Sequence, residues 1–187
     1  MTEYTDPSPH PRGTERTRHG PGTEPTPYIA VVGGGRSPAA ERELAEAVGR
    51  GLAEAGAVVV CGGLGGTMEA ACRGARQAGG LTVGILPGTE RLDANPFVDV
   101  VLPTGLGEAR NALVVRAADC VVAVGGEFGT LSEVALALAT GVPVVGLGTW
   151  ELVRRGEQVN AVVRVGSPED AVSLAIELAR ASHTGVP

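Results

Sequence analysis

From Tyr28 onward, short apolar runs alternate with longer segments in which apolar residues recur every three or four positions. A strand-then-helix repeat of this kind builds a parallel sheet with crossover helices. The pattern predicts buried strands at residues 28–32, 57–61, 81–86, 98–102, 120–124, 142–147 and 161–165. The longest helical period lies at 38–55, where Leu44, Ala45, Val48 and Leu52 share one face, with Ser37 expected as N-cap and Pro38 at the first helical position. Shorter helices are expected at 67–78, 107–118 and 130–140. A last one starts at Ser167-Pro168-Glu169-Asp170, where the serine caps and both acids suit the helix dipole, and ends near Arg180. Residues 148–160 show no period and read as an irregular excursion. The expected architecture is a doubly wound, Rossmann-like α/β domain over residues 28–182, with a parallel sheet of about seven strands and helices on both faces. Residues 1–27 hold six of the 13 prolines and almost no apolar side chain, so they read as a disordered tail.

Composition removes several chemistries. All 15 basic residues are arginine, which excludes a Schiff-base lysine, a P-loop lysine and a lysine general base. The three histidines, His10, His19 and His183, all lie near a terminus, so the core offers no imidazole for acid–base work and no zinc site; no metal and no cofactor is expected. A net charge of −6 gives no basic footprint for nucleic acid. Cys61, Cys72 and Cys120 lack metal-binding spacing and read as reduced core thiols, which points to the cytoplasm. Apolar stretches are broken before they reach membrane-spanning length, so no membrane partner is expected.

Three glycine clusters sit where a strand hands over to a helix: Gly33-Gly34-Gly35, Gly62-Gly63-Leu64-Gly65-Gly66 and Gly125-Gly126-Glu127-Phe128-Gly129-Thr130. In an open parallel sheet such junctions lie at the carboxyl edge, so the three loops should converge on one crevice. Glycine admits close backbone approach, and each following helix N-terminus offers unpaired amides and partial positive charge to an anion. The expected phosphate-binding positions are Gly33, Gly34, Gly35, Arg36, Gly63, Gly65, Gly66, Gly125, Gly126, Gly129 and Thr130. A nicotinamide-dinucleotide fingerprint fails, because Gly33-x-Gly35-x-x is followed by Pro38 and the second strand ends in Cys61-Gly62 with no acid for a ribose.

Glu108-Ala109-Arg110-Asn111 followed by Gly125-Gly126-Glu127-Phe128-Gly129-Thr130-Leu131-Ser132-Glu133 resembles the LONELY GUY (LOG) family, also called lysine decarboxylase-like. That signature is an Arg-Lys pair and then Pro-Gly-Gly-x-Gly-Thr-x-x-Glu. Arg110, Gly126, Gly129, Thr130 and Glu133 match it, whereas Asn111 stands for the lysine, Gly125 for the proline and Glu127 for a glycine. The resemblance covers about residues 28–147 and is nearest to a small bacterial branch that molybdenum cofactor carrier protein also resembles. It implies a nucleoside 5′-monophosphate phosphoribohydrolase in which Glu133 steadies an oxocarbenium-like state and Arg110 clamps phosphate or ribose. The alternative is a carrier or sensor that binds an anionic pterin or nucleotide without turnover. Thr130 and Glu133 by themselves also fit a helix capping box. Either function makes the partner a phosphorylated small molecule. Apolar residues of the 107–118 and 130–140 helices, beyond what one sheet face needs, point to a homodimer.

Overall fold

The computed structural model describes residues 25–184. The expected disordered tail lies outside them except for its last positions, and there the boundary moves. Pro27 is buried and its carbonyl accepts a hydrogen bond from Val58 N at 2.9 Å, so the ordered chain begins before Tyr28.

The strands are β1 (Tyr28–Gly33), β2 (Val58–Cys61), β3 (Thr82–Leu86), β4 (Val100–Pro103), β5 (Cys120–Val124), β6 (Val144–Leu147), a short pair β7 (Val153–Arg154) and β8 (Glu157–Gln158), and β9 (Val162–Val165). Seven of them form one sheet in the order β4-β3-β2-β1-β5-β6-β9. Every pairing in it is parallel. The chain walks outward from β1 to β4 and then returns to the other side of β1, so the order reverses between β1 and β5. The stretch read as irregular holds the antiparallel hairpin β7–β8.

Both faces of the sheet are covered, which is why β2, β5 and β6 are apolar at every position rather than alternating. The helices are α1 (Ala39–Glu54), α2 (Thr67–Gln77), α3 (Asn111–Arg116), α4 (Phe128–Thr140) and α5 (Pro168–Thr184). On one face Val48 and Leu52 of α1, Ala71 of α2 and Ala175 of α5 pack on Ile29, Val31 and Val122. On the other, Val114 and Val115 of α3 and Val134 of α4 pack on Ala30, Val32 and Val121. The two-residue period of β1 thus splits its side chains between two cores. Helices α1 and α2 touch backbone to backbone: a Cβ on Gly49 would fall on the Ala71 carbonyl, and one on Gly74 on the Glu46 carbonyl. Arg73 reinforces that crossing with two bonds to Glu46 Oε2, at 3.0 and 2.7 Å.

Three local expectations are corrected. Helix α1 starts at Ala39 with Pro38 in the N-cap position, so Ser37 stands one residue too early for its hydroxyl to reach the first-turn amides, and it caps nothing. The helix expected over 107–118 opens as a tight 3-10 turn, Gly107–Arg110, before α3. Helix α4 begins at Phe128, so Thr130 lies inside its first turn and the capping-box reading of Thr130 and Glu133 fails. Ser167 does cap α5, accepting from Asp170 N at 3.1 Å.

Candidate ligand-binding crevice

Where the strand order reverses, Gly33 pairs with Val124, and the loops after β1 and β5 diverge to either side of a cleft. Gly33 has no room for a side chain, since a Cβ would lie 2.6 Å from the Val124 carbonyl and against the Thr67 methyl. Thr67 N donates to Gly34 O at 3.0 Å, and Gly66 packs on the backbone of Gly34 and Gly35. The first two glycine loops therefore meet backbone to backbone. At the third, Gly126 has φ 111, a conformation that favours glycine, and the chain there turns so sharply into α4 that Thr130 folds back over it.

Between the loops lies a cavity of about 330 Å³. Gly33, Gly34 and Gly35 line one wall, and Gly129, Thr130 and Glu133 from the first two turns of α4 line the opposite one. Glu108, Arg110 and Asn111 close a third side, and Leu64, Met68 and Glu127 complete the rim. The structure thus brings Arg110 and Glu133 together from elements 23 residues apart, with Arg110 Nη1 donating to Glu133 Oε1 at 3.3 Å. The guanidinium lies flat on Gly62, where a Cβ would sit 2.5 Å from Nη1. Both residues are buried, at 6% exposure each. Burial pushes the Glu133 pKa up from 4.5 to about 7; Arg110 opposes the rise and the charge of Glu108 adds to it.

Among the described residues, four buried side-chain polar atoms have no hydrogen-bond partner: Ser37 Oγ, Thr67 Oγ1, Thr130 Oγ1 and Arg110 Nε. The three hydroxyls belong to residues beside the N-terminal turns of α1, α2 and α4, one after each glycine cluster. Arg110 and Thr130 line the cavity itself. Buried polar groups are normally satisfied, and unpaired ones cost of order 1–3 kcal/mol each, so this edge of the sheet gathers hydrogen-bonding capacity that the fold itself does not use.

Other expected site residues stand elsewhere. Arg36 and Gly66 line a neighbouring cavity. The carbonyl of Gly63 is taken by Asn95, whose N and Nδ2 donate to it at 2.9 and 3.2 Å, so this glycine serves the packing of the second loop on β3. Gly65 lies against Gly35 O and Glu69 and lines no part of the central cavity. Gly125 and Gly126 face a shallow depression with Glu41 and Trp150. A Cβ on Gly125 would fall on the Glu41 carboxylate, so an acid already stands where phosphate was expected. Glu41 and Thr67 carried no assigned role in the sequence, Ser37 only that of a helix cap, and Asn111 only that of a departure from the family signature. For the last two a signal was present: each glycine cluster is followed by a hydroxyl residue, Ser37, Thr67 or Thr130.

Residues 26–172 match the SLOG cluster4 family. The chain belongs to that family. The resemblance carried by Arg110, Gly126, Gly129, Thr130 and Glu133 is therefore shown at the level of the superfamily, together with the Rossmann-like fold. An uncharacterized protein of Archaeoglobus fulgidus is 40% identical to this SLOG chain over 148 residues, 79% of this chain and 93% of the relative. Among solved structures, the molybdenum cofactor binding protein of Rippkaea orientalis is 35% identical with a TM-score of 0.75, over 83% of this chain and 99% of that one. The molybdenum cofactor carrier protein of Chlamydomonas reinhardtii is 32% identical with a TM-score of 0.73, over 82% and 98%. No helix among the described residues is long and apolar enough to cross a membrane.

Proposed function

We propose that this chain holds a phosphorylated, nucleotide-like small molecule in the central crevice, a nucleoside monophosphate or a pterin phosphate, and carries it without turning it over. The observation that carries this reading is the pair of unpartnered buried donors that line the crevice, Thr130 Oγ1 and Arg110 Nε, beside the N-terminal amides of α4. In this reading the phosphate lies against Gly33, Gly34 and Gly35 on one side and Gly129 and Thr130 on the other, with Arg110 as its cation. Two observations favour carriage over hydrolysis: Glu133 is committed to Arg110, and the family lysine is replaced by Asn111, which is buried. The structural relatives named as a molybdenum cofactor binding protein and a molybdenum cofactor carrier protein support the same reading.

A second reading, nucleoside 5′-monophosphate phosphoribohydrolase, is favoured by one specific feature. Glu133 lines the crevice with a pKa of about 7, suited to steadying a cationic sugar or moving a proton near neutrality. The test is mass spectrometry of small molecules that co-purify with the native protein, with chromatographic base release from AMP for wild type, Glu133→Gln and Arg110→Ala. Carriage expects a bound phosphorylated heterocycle, no base release, and weakened binding in Arg110→Ala. Base release that falls at least about 10²-fold in Glu133→Gln would overturn carriage in favour of hydrolysis.

We also propose that the chain works as a homodimer through α3 and α4, where Leu113 is 41% exposed and Leu131 and Leu138 are only partly covered. Light scattering at micromolar concentration should give twice the chain mass; a monomer there overturns the assembly. The three free cysteines, all buried, support a reducing cytoplasmic location.

A further inference from the structure

Apart from the two large cores, a small cluster stands by itself behind the second glycine loop: Cys61 at the end of β2, with Met68 and Cys72 of α2, all buried. The Sγ atoms of Cys61 and Cys72 are 3.4 Å apart, within reach of an S–H···S hydrogen bond, and both thiols are free. Between the two cysteines along the chain lie the whole second glycine loop, Gly62 to Gly66, and the first turn of α2. Cys120 belongs instead to the larger core that α1 and α5 cover.

The surroundings of the pair differ from those of an inert core thiol. Gly63 N donates to Cys61 Sγ at 3.3 Å, and the Arg110 guanidinium lies on the adjoining Gly62, so negative charge on that sulfur meets an amide and a cation. Hydrogen bonding from the Cys72 thiol lowers the Cys61 pKa against the opposing effect of burial, whereas the same contact and burial raise that of Cys72. One sulfur is thus suited to attack, and its neighbour keeps its proton until the second step. The cover over the cluster is thin. Leu64, Phe97 and Val98, which pack against it, are only partly buried, and Leu64 and Met68 also line the central crevice.

We propose that Cys61 and Cys72 are a site of reversible oxidation, closed to a disulfide by hydrogen peroxide entering from the crevice and reopened by a dithiol reductant, and that closure resets the second glycine loop. The Cys61 thiolate attacks one peroxide oxygen; the O–O bond breaks, an S–OH bond forms, and the departing hydroxide takes up the proton that Cys61 gave up. The Cys72 sulfur then attacks Cys61 Sγ, the S–O bond breaks, and the second hydroxide leaves with the Cys72 proton as water. The two sulfurs together lose the two electrons that peroxide gains. A disulfide holds its sulfurs about 2 Å apart, so closure draws β2 and α2 together at this point and takes Cys61 Sγ from the Gly63 amide. The intervening glycines absorb the movement, and with Gly62 moves the surface on which the Arg110 guanidinium rests. On the reading that Arg110 holds the phosphate of a ligand in the crevice, oxidation loosens that ligand.

The test compares wild type and Cys72→Ala, each reduced or treated with hydrogen peroxide, by alkylation under denaturing conditions and peptide mass mapping. Treated wild type should give a linked Cys61–Cys72 peptide, recover both thiols with a dithiol reductant, and keep Cys120 alkylatable throughout. Absence of the linked peptide, or oxidation of Cys120 as fast as the pair, overturns the proposal. Hydrogen exchange reads the loop: amides of residues 62–68 should exchange at least about threefold more slowly in oxidised than in reduced wild type, with no change in treated Cys72→Ala. Identical exchange in the two wild-type forms overturns the resetting of the loop. Calorimetric titration with AMP reads the crevice. Oxidised wild type should bind AMP about tenfold more weakly than reduced, the effect of one hydrogen bond to a charged group, while Cys72→Ala binds as reduced wild type does with or without peroxide. Equal AMP binding by the two wild-type forms overturns the link to the ligand. Absence of AMP binding in the reduced protein counts against the crevice reading instead, and the linked peptide and exchange rates then decide the redox pair by themselves.

Discussion

The two ends of the sheet treat the same kind of residue in opposite ways. At the amino end, Thr82 opens β3 fully buried; its hydroxyl donates to Phe97 O at 2.7 Å and accepts from Asp99 N at 2.9 Å. Tyr28 N, at the start of β1, donates to Asp119 Oδ2 at 2.8 Å. At the carboxyl end, Thr67 is just as deeply buried and its hydroxyl bonds to nothing described; Thr130 Oγ1, Ser37 Oγ and Arg110 Nε share that condition. One edge spends its polar groups on holding the fold together. The other keeps them unspent at a cost in stability, as sites committed to a ligand do.

The largest expected effect concerns Glu133. Its folded pKa of about 7 stands above the 4.5 of an ordinary carboxyl, so between those values the folded chain holds a proton that the unfolded chain has lost. Folding stability therefore falls as pH rises from about 4.5 to about 7 and levels off above, by about 3 kcal/mol in all. Glu133→Gln, which mimics the protonated acid, should remove that slope. Urea unfolding of both proteins at pH 5 and pH 8 checks it; a gap that does not widen with pH would mean that the carboxyl edge stores no such destabilisation. Smaller and more pointed is a pair of isosteric changes. Thr82→Val should cost about 2 kcal/mol, lowering the melting temperature by about 4–8 °C, because Phe97 O loses its hydroxyl partner and Asp99 N keeps only the Thr82 carbonyl. Thr67→Val should shift stability by no more than about 0.5 kcal/mol, or raise it. Equal losses from the two substitutions would erase the distinction between the edges.

Much of this arrangement is legible along the chain. Each expected strand forms, and the doubly wound order follows because apolar runs buried on both faces need parallel neighbours and crossover helices. Helix starts are read less well, for a local reason: Ser37 and Thr130 have the right chemistry for caps, but whether a hydroxyl reaches an amide depends on one residue of register, which Pro38 and Phe128 decide. The meeting of Glu133 with Arg110 was carried by the family resemblance, not by periodicity. That the arginine lies flat on Gly62 with its Nε free was not legible, since the contact joins the end of β2 to a turn 48 residues later. Glu41 over Gly125 was missed for a similar reason: nothing in a helix's first turn announces that it leans across the neighbouring strand's loop.

Trp150 ties down the backbone of Glu127 at the crevice rim, its indole Nε1 donating to the Glu127 carbonyl at 3.2 Å and its ring 5.6 Å from that of Phe128, which is 78% exposed. The chain contains one tryptophan. Its emission is therefore the signal of a single fluorophore, hydrogen-bonded to the backbone of the loop that leads into α4. A ligand that drew Gly129 and Thr130 inward would shift the polarity around that indole, so occupancy of the proposed phosphate site should register in the emission of the unlabelled protein.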